Sequence, residues 1–160
     1  AAAGCTEVVP VYPCNLTITA GQEQLRCLRL SERGTYRWHA ACCNSPIANT
    51  SGTLPWAGLM AHTFTHQDPG YLDRELGPVR SRIMGKFAKG TPAPGTAHKM
   101  NLAAMVSVGP FILRGKLGGK ARPSPFFVDG KPIATPQVLS AAERDALRAA
   151  FAAQGPYRAS

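Results

Sequence analysis

Acidic residues are scarce in this sequence. Nine Asp and Glu stand against 18 Lys and Arg in 160 residues, a formal net charge of +9. That balance favours anionic partners: nucleic acid, anionic lipid or a small acidic substrate. Charge of both signs together is sparse too. Only 17% of residues are charged and 44% are hydrophobic, so the chain folds around a core and is not a disordered tail. Long apolar runs are missing. The longest, Leu102 to Leu113, falls short of the roughly 20 residues that a membrane-spanning helix needs. The opening AAAGCTEVVP has neither a basic start nor an apolar stretch, so we expect no signal peptide and a reducing, cytoplasmic setting. In that setting the Asn15-Leu16-Thr17 and Asn49-Thr50-Ser51 sequons are coincidental. The missing initial Met suggests a processed or cut piece of something longer. There is no internal repeat and no Cys-x-x-Cys pair.

The positive charge is concentrated. Residues 1–70 are balanced, residues 71–122 hold ten Lys and Arg against Asp73 and Glu75, and residues 123–160 carry an excess of one. A chain of 160 residues is long enough for one domain with its own core. We expect a single domain: a β-rich part over 1–66, and a mixed, basic part over 67–160 that ends in a helix. Sixteen glycines and 14 prolines imply many turns between these elements.

The pattern predicts several elements. TEVVPVYP is β-branched and broken by Pro10 and Pro13, which suits an edge strand. LTIT, Leu16 to Thr19, reads as a short strand. QLRCLRLSERGTYRWHA reads as a hairpin turning at Glu32-Arg33-Gly34. Within Ala97 to Leu117 an apolar helical pattern meets Gly109-Pro110, where a helix should kink or stop. FFVDGKPI reads as a hairpin around Asp129-Gly130. Ser140 and Glu143 make a capping box for a helix over Ala141 to Ala153.

Chemistry is harder to find. Gly115-x-x-Gly118-Gly119-Lys120 lacks the spacing and the following Ser/Thr of a phosphate loop. His62 and His66 have metal-like spacing, but on a strand they stand too far apart for one ion. His39 and His98 are single. The five cysteines, Cys5, Cys14, Cys27, Cys42 and Cys43, are read from spacing as core thiols more readily than as a complete zinc site. Cys42 and Cys43 pose a sharper question. Neighbours on a strand point to opposite faces, so both can face one metal only where the strand has ended in a turn. Asn44-Ser45-Pro46 is such a turn signal.

The run LRCLRLSERGTYRWHAACCNSPIANT resembles a bacterial family related to the glutathione-dependent formaldehyde-activating enzymes and to centromere protein V. The likeness continues through LGPVRSRIMGKFAKG and SPFFVDGKPIATPQVLSAAERDALR and covers about Thr6 to Leu147. It implies a mainly β fold, a β-tent of small Mss4-like sheets, with a few helices in the C-terminal half. It also implies zinc held by thiolates and a carbon–sulfur lyase acting on a glutathione adduct. By the same likeness Cys43, in Cys43-Asn44-Ser45-Pro46, is a zinc ligand, and Cys42 is its neighbour or stands in for the second ligand. That second ligand normally lies three residues earlier, where this chain has Ala40. Relatives also carry Cys-x-Cys-Gly and Cys-x-Cys-x-x-Cys motifs upstream of the matched region, and Cys5 and Cys14 reproduce neither. No catalytic residue is therefore carried over.

Three functional expectations follow. The first is a zinc-binding, lyase-like protein in which Arg80, Arg82 and Lys86 hold a small anionic thiol substrate such as a glutathione adduct. The second is a non-catalytic basic module that binds nucleic acid or anionic lipid through the stretch from Arg74 to Arg122. The third is a β-rich relative without retained activity.

Overall fold

A computed structural model describes residues 5–65, 68 and 70–153, with the side chains of residues 72 and 73 excepted. The architecture is mainly β, with helices gathered towards the C-terminal half. Four strands run as an antiparallel meander: β2 (Leu25–Arg29), β3 (Tyr36–Ala40), β4 (Pro46–Thr50) and β5 (Ala57–Met60). The first strand, β1 (Val8–Val11), adds to the outer edge of β5, antiparallel. Its edge position accommodates Pro10, which has no amide to give to a ladder. A small hairpin, β6 (Phe127–Val128) and β7 (Lys131–Pro132), stands apart as its own sheet. The last strand, β8 (Gln137–Val138), closes the opposite edge of the large sheet by pairing parallel to β2.

The predicted hairpin forms, with Cys27 opposite Trp38 and Leu25 opposite Ala40. Trp38 in turn faces Ala48 on β4. One row of side chains, Cys27, Trp38 and Ala48, thus crosses three strands, and all three are buried. Phe126 lies 5.1 Å from the Trp38 ring, and Phe127 meets Tyr36 edge-on at 5.0 Å. These two aromatics lay the β6–β7 hairpin over the sheet. The Trp38 indole N–H donates to the Thr50 hydroxyl at 2.8 Å inside this core. A buried donor without such a partner would cost roughly 1–3 kcal/mol, which is why a Thr can sit fully enclosed here.

LTIT does not form a strand. Its alternation is nonetheless used: Leu16 and Ile18 pack against the core, while no ladder forms along their backbone. The turn around Asp129-Gly130 is as expected, and both residues have positive φ, the condition for a tight two-residue hairpin turn.

The described residues form three α-helices: α1 (Tyr71–Leu76) and α2 (Leu102–Leu117) between β5 and β6, and α3 (Ala141–Ala153) after β8. The capping box of α3 closes reciprocally, with the Glu143 amide donating to the Ser140 hydroxyl and the Ser140 amide to the Glu143 carboxylate. The Asn101 side chain caps α2 by accepting from the Ala104 amide at 2.9 Å. The helix does not stop at Gly109-Pro110: α2 continues through Pro110 to Leu117. The proline removes one donor, to the carbonyl of Val106, and that residue is exposed, so water can serve the freed oxygen. Past the proline, α2 is held by contacts. Phe111 stacks on Tyr12 at 4.1 Å, the Tyr12 hydroxyl donates to the Phe111 carbonyl, and Gly115 rests against Tyr12 and the enclosed Pro55. Among the described residues no helix is long and apolar enough to cross a membrane.

Candidate thiol site and basic segment

The turn between β3 and β4 carries the adjacent cysteines. The Ala40 amide donates to the Ser45 carbonyl at 3.0 Å, and the Asn44 amide donates to the Ala40 carbonyl at 2.8 Å. These bonds end the strand at Ala40 and fold residues 41–45 into a loop. Asn44 has φ 55, a left-handed conformation that asparagine tolerates better than most residues. The register shift between Trp38 and His39 helps the chain turn here. The geometric condition for two neighbouring thiols to share one side is therefore met. Cys42 and Cys43 are both exposed, and their sulfurs are 3.7 Å apart.

The two thiols differ electrostatically. Cys43 Sγ lies 3.2 Å from the Ser45 hydroxyl. That hydroxyl, with the Ser45 backbone amide, steadies the thiolate and holds the Cys43 thiol below its usual range. Cys42 donates to the Cys43 sulfur and is held above its usual range by that bond and by the neighbouring charge. Cys43 is thus the member that ionises first.

The pair fits part of a zinc site. Two thiolates bound at about 2.3 Å to a tetrahedral ion stand roughly 3.8 Å apart. The observed sulfur separation of 3.7 Å is close to that edge. It is not a whole site. Among the described residues no group of three or more His, Cys, Asp and Glu side chains comes together, so the remaining donors would have to come from elsewhere.

The other thiols lie apart. Cys27 is 3% exposed in the core, and burial pushes its thiol up to about 11. Cys14 donates to the Asn15 side chain, and Cys5 is exposed. His62 lies on a single turn of tight helix, Ala61–Thr63, while His66 falls outside the described residues.

Arg80, Arg82 and Lys86 are all exposed. The backbone of Arg82 and Lys86 is bonded to the chain at Ala97 and His98. The Ala97 amide donates to the Arg82 carbonyl, the Gly85 amide to the Ala97 carbonyl, and the Lys86 amide to the His98 carbonyl. The side chains are left to solvent, apart from Lys86 over the ring of Phe87. None of the three shares a hydrogen bond, ion pair or ring contact with Cys42 or Cys43, so no contact joins the thiol pair to the basic segment.

Sequence reasoning missed two features. One is Ser45, which tunes Cys43; its signal was the Cys-x-Ser spacing across a turn. The other is a cleft of about 320 Å³ beside Thr50 and Gly52, bordered by Arg122, Phe127 and Asp129. Loops distant in sequence build it, so no local pattern announces it.

No curated protein and no solved structure matches this chain. Residues 1–137 match the sequence pattern of a family described as "Family of unknown function (DUF6151)", and the chain belongs to that family.

Proposed function

We propose that this protein binds zinc through Cys42 and Cys43 and is a carbon–sulfur lyase-like protein of the glutathione-dependent formaldehyde-activating type, handling a small anionic thiol. The observation that carries this reading is the 3.7 Å spacing of two exposed thiols on one side of a turn. Cys43, the readier thiolate, is the leading ligand and Cys42 the second. Further donors come from a second molecule, a substrate thiol being one such source. Arg80, Arg82 and Lys86 supply charge for carboxylates of that substrate. A reducing, cytoplasmic compartment belongs to the same reading, since exposed vicinal thiols persist there.

The test is zinc per chain by elemental analysis, with a count of reactive thiols, on protein purified without added metal. Near-stoichiometric zinc with Cys42 and Cys43 protected, lost in Cys43→Ser, is the expected result. No zinc and freely titrating thiols refute it.

A second reading is favoured by the charge distribution: a non-catalytic basic module for an anionic partner. From Leu76 to Val128 the chain contains no Asp or Glu, but nine Lys and Arg.

A further inference from the structure

Helix α2 rests by one side on Tyr12 and Pro55, in the segments beside β1 and β5. Ala104, Phe111 and Gly115 face inwards, and Ala104 and Gly115 are its buried residues. At about 100° per residue, Leu102, Val106, Leu113 and Leu117 fall within roughly 60° of one another on the opposite side. They are 71%, 64%, 59% and 82% exposed. Large apolar side chains gathered on one stripe are unusual on a free protein surface and mark a contact. Arg114 and Lys116 project on either side of that stripe, and no acidic residue lies anywhere on the helix.

We propose that α2 is an interfacial anchor on an anionic lipid bilayer. The stripe of Leu102, Val106, Leu113 and Leu117 enters the boundary between headgroups and acyl chains, and Arg114 and Lys116 reach the lipid phosphates. This sharpens the second reading above and does not depend on the thiol site. The helix has 16 residues, too few to span a bilayer, and with its inner side on the protein only its outer stripe can meet a membrane surface. Its cationic flanks complement the negative surface of an anionic leaflet. Parallel pairing with a second copy would bring the cations of the two last turns together. Nucleic acid would use the cations but leave the four aliphatic side chains without a role.

The test uses the full chain and vesicle co-sedimentation. One set of vesicles is phosphatidylcholine alone, the other an equal mixture of phosphatidylcholine and phosphatidylglycerol. Binding to the mixed vesicles is expected, weakened by salt. Leu113→Glu should lower partitioning by about tenfold or more, and Lys116→Gln by about fivefold. Unchanged far-UV circular dichroism shows that Leu113→Glu still folds, and Leu117→Glu repeats the test at the exposed helix end. Absence of binding to mixed vesicles overturns the proposal. So does salt-sensitive binding that Leu113→Glu and Leu117→Glu leave intact, although the basic-module reading would then survive. Binding to nucleic acid but not to vesicles, or a dimer that Leu113→Glu dissociates, also overturns it.

Discussion

Gly115→Ala puts the seating of α2 to a test in which even the sign is informative. In an exposed helix interior, replacing Gly by Ala stabilises by about 1 kcal/mol. At this position a Cβ would lie 2.6 Å from Tyr12 Cε1, and 2.8 and 2.9 Å from Pro55 Cγ and Cβ. Neither neighbour yields easily. Pro55 is enclosed, and Tyr12 is held by its stack on Phe111 and its bond to the Phe111 carbonyl. Overpacking of this kind costs roughly 1–3 kcal/mol. The steric loss therefore exceeds the propensity gain over most of that range, and the net loss reaches about 2 kcal/mol. For a chain of this size each kcal/mol moves the midpoint by about 2–4 °C. Urea unfolding followed by tryptophan fluorescence and far-UV circular dichroism measures it. A variant more stable by about 1 kcal/mol would mean that α2 does not rest on Tyr12 and Pro55, and the orientation of its outer stripe would fall with that contact.

Other consequences are open to measurement. Thr50→Val should cost about 1–3 kcal/mol, because the enclosed Trp38 N–H loses its acceptor, whereas Thr50→Ser should recover much of it; equal loss in both refutes the bond's role. On protein freed of metal by a chelator, a thiol reagent should label Cys42 and Cys43 and spare Cys27. Ser45→Ala should slow labelling of Cys43 near neutral pH, because less thiolate is present without the hydroxyl; an unchanged rate refutes that role. Cys27 titrates at about 11 when folded, against 9.0 ordinarily. Its folded value is raised, so its contribution is whole below pH 9 and is lost as pH rises towards 11. Alkaline unfolding of Cys27→Ala should therefore fall less steeply over that window than the parent's, and identical slopes would contradict burial of the thiol.

What was legible in the sequence was local. The capping box needs only Ser140 and Glu143, and the β2–β3 hairpin needs only two alternating runs and a turn. Asn44-Ser45-Pro46 marked the turn that brings the cysteines to one side, because the restriction on strand neighbours lies in the backbone itself. What could not be read depends on partners far along the chain. Leu16 and Ile18 alternate like a strand and are partly buried against the core, but their backbone joins no ladder among the described residues. Pro110 predicted a break because propensity is local. The Tyr12 and Pro55 contacts that hold the helix together lie some 55 to 100 residues earlier. β8 has only two residues and pairs parallel, a length at which no periodicity exists. The difference between Cys42 and Cys43 rests on where one hydroxyl points, which composition cannot give.

The parallel closure by β8 bears on how this chain is made. The outer edge of β2 is covered by Gln137 and Val138, then by the Leu139 amide on the Arg29 carbonyl and the Arg144 guanidinium on the Leu30 carbonyl. About a hundred residues separate β2 from this cover. At ribosomal speeds of about 5–20 residues per second, the meander can emerge and pair while that edge stays bare for roughly 5–20 seconds. A bare strand edge is a template for a neighbouring nascent chain. Yield in the cell should then depend on how quickly the final helix and its preceding strand arrive, so that synonymous slowing between the codons for β5 and β8 would lower recovery of folded protein while leaving its final stability untouched.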